Sequence, residues 1–326
     1  MADYPTIRGL RVKYLSADPS NPETGEVWYN STAGTLKTYG LAPGTVASSG
    51  NVNTGKTQLG GVGTSTAGLK YGGEPLSGAT EEFDGSTWAT GNACPATKSD
   101  MACAGTQTAA LWGGGSPTSD GSFEYDGTNW TGTGAMTFAG RDFSGSGVGT
   151  QTAALCIGGF ISPSANSDVM QEYNGATWSN IPQTFPNAPG TTGFGSCGTQ
   201  TATLSSGGEV SSGDNLKTRS WDGSSWTDVN NLSIGVNSQV QRGTVASALC
   251  MSGHPANTPP GYSAEIQTWD GTSWSTSPAT LATGRAQATG GGTTSSAFIT
   301  CGAPGPVIAT EIYTGPAVAV QTITTS

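Results

Sequence analysis

The 326-residue chain contains one histidine, His254, and six cysteines. One histidine cannot supply the imidazole sets that redox copper or hydrolytic zinc centres use. No Cys-x-x-Cys or Cys-x-x-His spacing offers a zinc site either. A Ser–His–Asp triad could be assembled only around His254, which lies in the proline-rich stretch HPANTPPG. No Gly-x-Ser-x-Gly elbow stands between a strand and a helix. Carboxylate-pair chemistry stays open, since any two acids can meet in a fold. Yet Asp84, Asp126, Asp222 and Asp270 each directly precede a glycine, where Asp serves a tight turn first. The expectation is a non-enzymatic protein with no catalytic residue, no cofactor and no metal site.

The elements that position these residues are repeats. A unit opening on Gly-Thr begins at Gly63, Gly105, Gly149, Gly198, Gly243 and Gly292, so successive openings lie 42, 44, 49, 45 and 49 residues apart. That period fits one four-stranded propeller blade. A second block follows each opening: FDGSTW to Trp88, YDGTNW to Trp130, YNGATW to Trp178, WDGSSW to Trp226 and WDGTSW to Trp274. An aromatic, then Asp-Gly or Asn-Gly, then small polar residues marks a hairpin, because these residues tolerate the positive φ of tight turns. The last copy degrades to YTGPAV, with Val318 in place of tryptophan. Cys156 and Cys250 lie seven residues after their openings, where Trp112 stands in another copy; this marks a buried strand position. Cys94 and Cys103 form the pair to test for a disulfide.

These residues resemble the kelch repeat: a small-residue strand ending in Gly-Gly, a Tyr-Asp strand, a tryptophan and often an arginine. Gly114, Gly115, Tyr125, Asp126, Trp130 and Arg141 follow that order, and Arg285 after Trp274 fits too. The resemblance implies an all-β, six-bladed kelch-like propeller over residues 51–326. Sialidases and galactose oxidase are also propellers. The sialidase Asp-box, however, separates Asp from Gly by one residue, whereas here the two are adjacent, and the oxidase copper site needs two histidines. The recurrent tryptophans read as packing between blades rather than as sugar platforms.

Spacing within the repeat separates two faces. Each opening Gly is ten residues from the second Gly of its stop, and each turn Asp or Asn is four residues from its Trp. The other connections vary: Gly73 to Asp84 is 11 residues, Gly159 to Asn174 is 15, and Gly253 to Asp270 is 17. A rigid scaffold with one varied face binds through that face. Phe160, Phe185, His254 and Tyr262 lie in the varied loops and are the candidate binding residues.

Residues 1–50 differ from the repeats. Asn21-Pro22, Gly25 to Asn30 (GEVWYN) and Gly34 to Lys37 (GTLK) resemble a short module near the start of many tailed-phage tail and fibre proteins. That resemblance implies a virion-attachment arm with a β-hairpin, and a protein built into a tail fibre, tail appendage or capsid decoration. Arg8, Arg11 and Lys13 make the arm locally basic, suited to docking on other virion proteins. The hairpin could instead complete the sixth blade. The expected partner of the propeller face is a host-surface glycan or receptor; a glycan-binding or glycan-degrading propeller outside the virion is the alternative. Twelve basic against 22 acidic residues, a net charge of −10, disfavours binding to phosphate backbones. No run of about 18 apolar residues marks a membrane helix, and the N-terminus lacks the apolar stretch of a signal peptide. The expected location is the virion, assembled in the host cytoplasm, with the protein oligomeric in the particle.

Overall fold

A computed structural model describes residues 12–142, 148–161, 165–186, 192–209, 216–255 and 261–324. These residues contain strands and no helix. The chain divides into two units, residues 1–44 with 315–326, and residues 45–314.

The larger unit is built of four-stranded antiparallel sheets, six among the described residues. The first sheet shows the plan: Gly60–Thr64, Ala67–Tyr71, Thr80–Phe83 and Trp88–Gly91, each pairing with the next. The first strands of the other five sheets are Ala102–Thr106, Gly149–Thr150, Gly195–Thr199, Val240–Thr244 and Thr289–Gly292. Each first strand packs beside the first strand of the following sheet, and the sixth packs beside the first. The first strands are therefore the innermost and the tryptophan strands the outermost.

The core lies between neighbouring sheets. Val62, Leu69 and Tyr71 of the first sheet pack on Cys103, Trp112, Tyr125 and Trp130 of the second. Leu249, Met251 and Ile266 of the fifth pack on Ala297, Ile299 and Tyr313 of the sixth. The repeat tryptophans fill these seams. Nε1 of Trp130 donates to Thr80 Oγ1 of the preceding sheet at 2.9 Å, Trp274 does the same to Thr218 and Trp178 to Ser122. Trp88 closes the cycle by donating to Thr310 of the sixth sheet. A buried indole with its one donor satisfied is structural, as the repetition of the position implies.

The sixth sheet borrows its outer strand. Its order is Thr289–Gly292, Ser296–Thr300, Thr310–Thr314 and then Thr45–Ser49. The GEVWYN hairpin is not the closing piece. Val27–Asn30 and Thr35–Ala42 form a separate sheet in the smaller unit with Lys13–Leu15 and with the C-terminal strand Ala317–Thr322. The degenerate sequence YTGPAV explains the exchange: without a tryptophan the last segment has no indole to seat in the seam. It pairs with Thr35–Ala42 instead, and residues 45–49 take its place. The boundary therefore falls at Gly44 rather than at residue 50. Of the three basic residues of the arm, Arg8 and Arg11 lie outside the described residues. Lys13 is paired with Glu26.

Candidate binding site at the loop end of the sheets

The two ends of the larger unit are built differently. At one end lie the Gly-Thr and Asp-Gly turns. Asp126 Oδ1 accepts from the amides of Thr128 and Asn129 at 2.8 and 2.7 Å. Asp84, Asp222 and Asp270 do the same in their sheets. These amide donors hold Asp126 and Asp270 below the usual carboxylate range, and donors from Ser224 and Ser225 hold Asp222 down at about 2. This end also carries clips that the repeat alone does not reveal. The glutamine of Gly-Thr-Gln-Thr reaches into the preceding sheet, where Gln151 Nε2 donates to the carbonyls of Ala110 and Tyr125. Gln107 and Gln200 act in the same way.

At the other end, the segment entering each first strand pairs with the loop between that sheet's second and third strands. Arg141 pairs with Phe160 and Asn237 with His254; Thr57 pairs with Glu74 and Ser99 with Ser116. One residue per sheet then turns through the left-handed region: Gln58, Asp100, Asp142, Gly193, Ser238 and Gln287, with φ between 52° and 66°. For the five non-glycines that conformation costs about 1 kcal/mol or more each. It is offset by a run of five backbone bonds from Gly193 round to Asp142. Asp100 N donates to Gln58 O at 2.9 Å, Asp142 N to Asp100 O at 3.0 Å and Ser238 N to Gly193 O at 2.5 Å. Gln287 N donates to Ser238 O and Gln58 N to Gln287 O, both at 2.9 Å.

These six residues rim a cavity of about 130 Å³, and Leu59, Met101, Phe194, Gln239 and Ala288, each one position further on, line it below. Deeper along the first strands Arg242 is buried. Its guanidinium donates to the carbonyls of Gly290 and Gly61, reaching past the sixth sheet to the first.

Asp100 and Asp142 are neighbours in the rim, where Asp142 N donates to Asp100 O at 3.0 Å. Both Ser99 Oγ and Gln58 Nε2 donate to Asp100 Oδ2, at 3.2 and 3.0 Å. Burial, with the nearby Asp142 charge second, pushes Asp100 up to about 7. Burial also raises Asp142, opposed by Arg141, whose guanidinium is 3.7 Å from its carboxylate. The shape of the two aspartate populations is thus opposite: local amides satisfy the turn acids, while the rim acids face each other.

The larger unit has a known counterpart. It is a β-propeller-like fold: the solved structure of YjhT matches with a TM-score of 0.63, covering 84% of this chain and 99% of YjhT. At 14% identity this likeness speaks for the fold alone. No family model and no curated protein matches the chain.

The four residues expected to bind from the varied loops separate into two groups. Phe160 is half-buried beneath the guanidinium of Arg141, 4.7 Å from its ring centroid. His254 and Tyr262 are half-buried with ring centroids 4.8 Å apart. All three are at the loop end. Phe185 is not available: it is 3% exposed and stacked on Phe194 at 4.7 Å. It belongs to the seam between the third and fourth sheets, because an aromatic after the outer strand has apolar surface to cover. Cys94 and Cys103 are not joined by a disulfide; both are buried thiols, and burial pushes Cys94 up to about 12.

The loop end is braced by buried polar residues, of which the repeat pattern marks only Arg285. Arg285 and Glu311 form an ion pair that is almost wholly buried, and Arg285 also donates to the Ala309 carbonyl at 3.0 Å. Glu311 further accepts from the Ala282 amide at 2.6 Å. Glu81, Gln171 and Gln267 stand on third strands and likewise hold an entering segment by its backbone amides. The signal for this role is a Glu or Gln two positions before the turn aromatic, in four of the six copies.

Proposed function

We propose that this chain is a six-bladed kelch-like β-propeller that serves as a structural and binding component of a bacteriophage particle. In this reading the loop end engages a carbohydrate or receptor on the host surface, and the smaller unit docks onto another virion protein. The observation that carries the binding half is the contrast between the ends. The turn end satisfies its polar groups locally, whereas the loop end offers a rimmed cavity and, in its loops, the half-buried Phe160, His254 and Tyr262. Half-exposed aromatics beside hydroxyl and amide groups suit a sugar ring.

The docking half rests on the GEVWYN and GTLK module and on one face of the smaller unit's sheet. Leu41 pairs with Val318 and Tyr39 with Val320. Leu41, Val318 and Val320 are 68%, 45% and 37% exposed. A row of exposed apolar side chains favours a protein partner.

Mass spectrometry of purified particles tests the placement, and the chain is expected at a fixed ratio to the other structural proteins. Its absence from particles would turn the reading toward a propeller that acts on glycans outside the virion. Binding of the full chain to host cells, compared with Phe160→Ala and Tyr262→Ala variants, tests the face.

A further inference from the structure

We propose that two copies of this chain join edge to edge through the strand Ala317–Thr322, so that the smaller unit's four-stranded sheet runs on into its mate. Among the described residues that strand ends the sheet and is paired on one side only, with Thr35–Ala42. An open edge offers a row of backbone donors and acceptors to another strand.

The register tells which groups point outward. Ile323 N donates to Leu36 O at 2.9 Å. Bonded pairs in an antiparallel ladder alternate with unbonded ones, so Gln321, Ala319 and Ala317 bond inward to Thr38, Gly40 and Ala42. Val318, Val320 and Thr322 therefore turn their backbone groups to the open side. Val318 and Val320 are also 45% and 37% exposed.

This edge lacks the protection that the others carry. In the larger unit four of the six outer strands have five residues or fewer. The two of seven residues, Trp178–Thr184 and Trp274–Thr280, hold Pro182 and Pro278. The opposite edge of the smaller unit's own sheet, Lys13–Leu15, has three residues and a lysine. Short length, proline and lysine keep an edge from pairing. Ala317–Thr322 has six residues, no proline and no charge.

The occupant is a second copy because the strand fits its own twofold mate. In antiparallel pairing centred on Ala319, Val318 stands opposite Val320 of the second copy, and Ala319 opposite its own equivalent. Both valines present outward backbone groups, so each Val318–Val320 pair exchanges two hydrogen bonds. Residues opposite each other share a face, and Leu41 lies beside Val318 and Tyr39 beside Val320. The apolar row Leu41–Val318 of one copy thus continues into Val320 and Tyr39 of the other. No charge meets a like charge along the strand. Such a contact uses one patch twice and closes at two copies. It takes the edge of the sheet and leaves the face to the docking partner proposed above, so it stands or falls on the isolated chain, whatever particles contain.

The test is sedimentation equilibrium of the full chain. One strand per copy makes a small interface of the weak class. Monomer should pass into dimer with a dissociation constant on the order of 100 µM, between the micromolar and millimolar marks. Val318→Lys should weaken the dimer at least about tenfold, since edge lysines oppose pairing. Val320→Pro removes an outward donor but no inward bond, and should weaken it to a similar degree. Ala319→Cys meets its equivalent as an unbonded pair with Cα atoms about 4.5 Å apart, within the reach of a disulfide. It should give a linked dimer on mild oxidation, whereas the parent, whose six thiols are buried, gives none. The proposal fails if the chain stays monomeric up to about 1 mM. It also fails if both edge variants dimerise like the parent, which would place the contact elsewhere. Should Val320→Pro not fold, its circular dichroism melt reveals that, and Val318→Lys, at an exposed position, decides.

Discussion

The two ends of the propeller-like unit use the same residue types for opposite purposes. At the turn end each aspartate stands before a glycine and accepts two backbone amides from its own turn. At the loop end Asp100 and Asp142 stand in left-handed backbone as neighbours in the rim, with no glycine turn to satisfy them. The turn end therefore repeats because every copy solves a local problem. The loop end varies because its groups are satisfied only by one another, by side chains from other sheets, or by something from outside. A polar group that its own turn satisfies is architecture; one held against a like charge is a candidate for function.

The largest expected effect concerns where the cycle of sheets is closed. A chain trimmed to residues 45–314 keeps all four strands of the sixth sheet and should unfold in one cooperative step. Trimming to 50–314 removes the strand Thr45–Ser49, which pairs with Thr310–Thr314 over five residues. That loss should lower the melting temperature by more than about 10 °C, at about 2–4 °C per kcal/mol for a unit of this size. Circular dichroism melts of the two chains measure it. Equal melting would mean that the sixth sheet does not need its borrowed strand.

Next in size is the loop-end brace. Arg285→Met leaves Glu311 buried without its cation and should cost about 3–5 kcal/mol in denaturant unfolding, as broken buried pairs do. The double variant Arg285→Met with Glu311→Leu should recover much of that loss, because a fully apolar pair carries no orphaned charge. If the single variant costs less than about 1 kcal/mol, the pair is solvated and the brace is wrongly assigned.

The fold was legible where it repeats. Gly-Thr openings, Gly-Gly stops and Asp-Gly-x-x-Trp turns are each set by φ requirements or by one large side chain, so they survive in a single sequence. The rim was not legible, because its residues share a conformation and not a type. Gln58, Asp100, Gly193, Ser238 and Gln287 all precede their opening Gly by five residues, but Asp142 precedes Gly149 by seven. A longer linker thus hides the one acid that makes the pair. Phe185 was misread for a related reason: its varied spacing says loop, while its burial is decided by Phe194 and Trp226, which belong to the next sheet. The exchange of the terminal strands left only a negative trace, the missing tryptophan at Val318.

A smaller effect tests whether the turn end is purely structural. Gln151→Ala should cost about 1–3 kcal/mol, since it leaves two carbonyls of the second sheet without their donor, and should leave surface binding unchanged. Loss of host-cell binding in a variant that melts within a few degrees of the parent would move the binding face to the turn end.

The smallest effect gives the comparison its sharpest form, because the two aspartate populations should respond to pH with opposite sign. Asp222 is held at about 2 in the folded chain, against an ordinary 3.8. Its contribution is complete above about pH 4 and is lost as the pH falls through 2. Asp222→Asn should keep the turn, since Asn174 already caps the equivalent one through Ala176 and Thr177. It should therefore melt slightly below the parent at neutral pH and level with it near pH 2. Asp100 runs the other way. Its folded value near 7 lies above the unfolded one, so between about pH 4 and 7 the folded chain holds the extra proton. Stability then declines as the pH rises through that window. Asp100→Asn should melt above the parent at pH 8 and level with it at pH 4. The groups facing Asp100 are Asp142 and Arg141, with Ser99 and Gln58 as neutral donors, so Asp142 is the partner whose replacement should bring the Asp100 value down. Melting curves from pH 2 to 8 for the parent and both variants decide the matter. If both differences carry the same sign, the two ends do not divide their aspartates between architecture and binding.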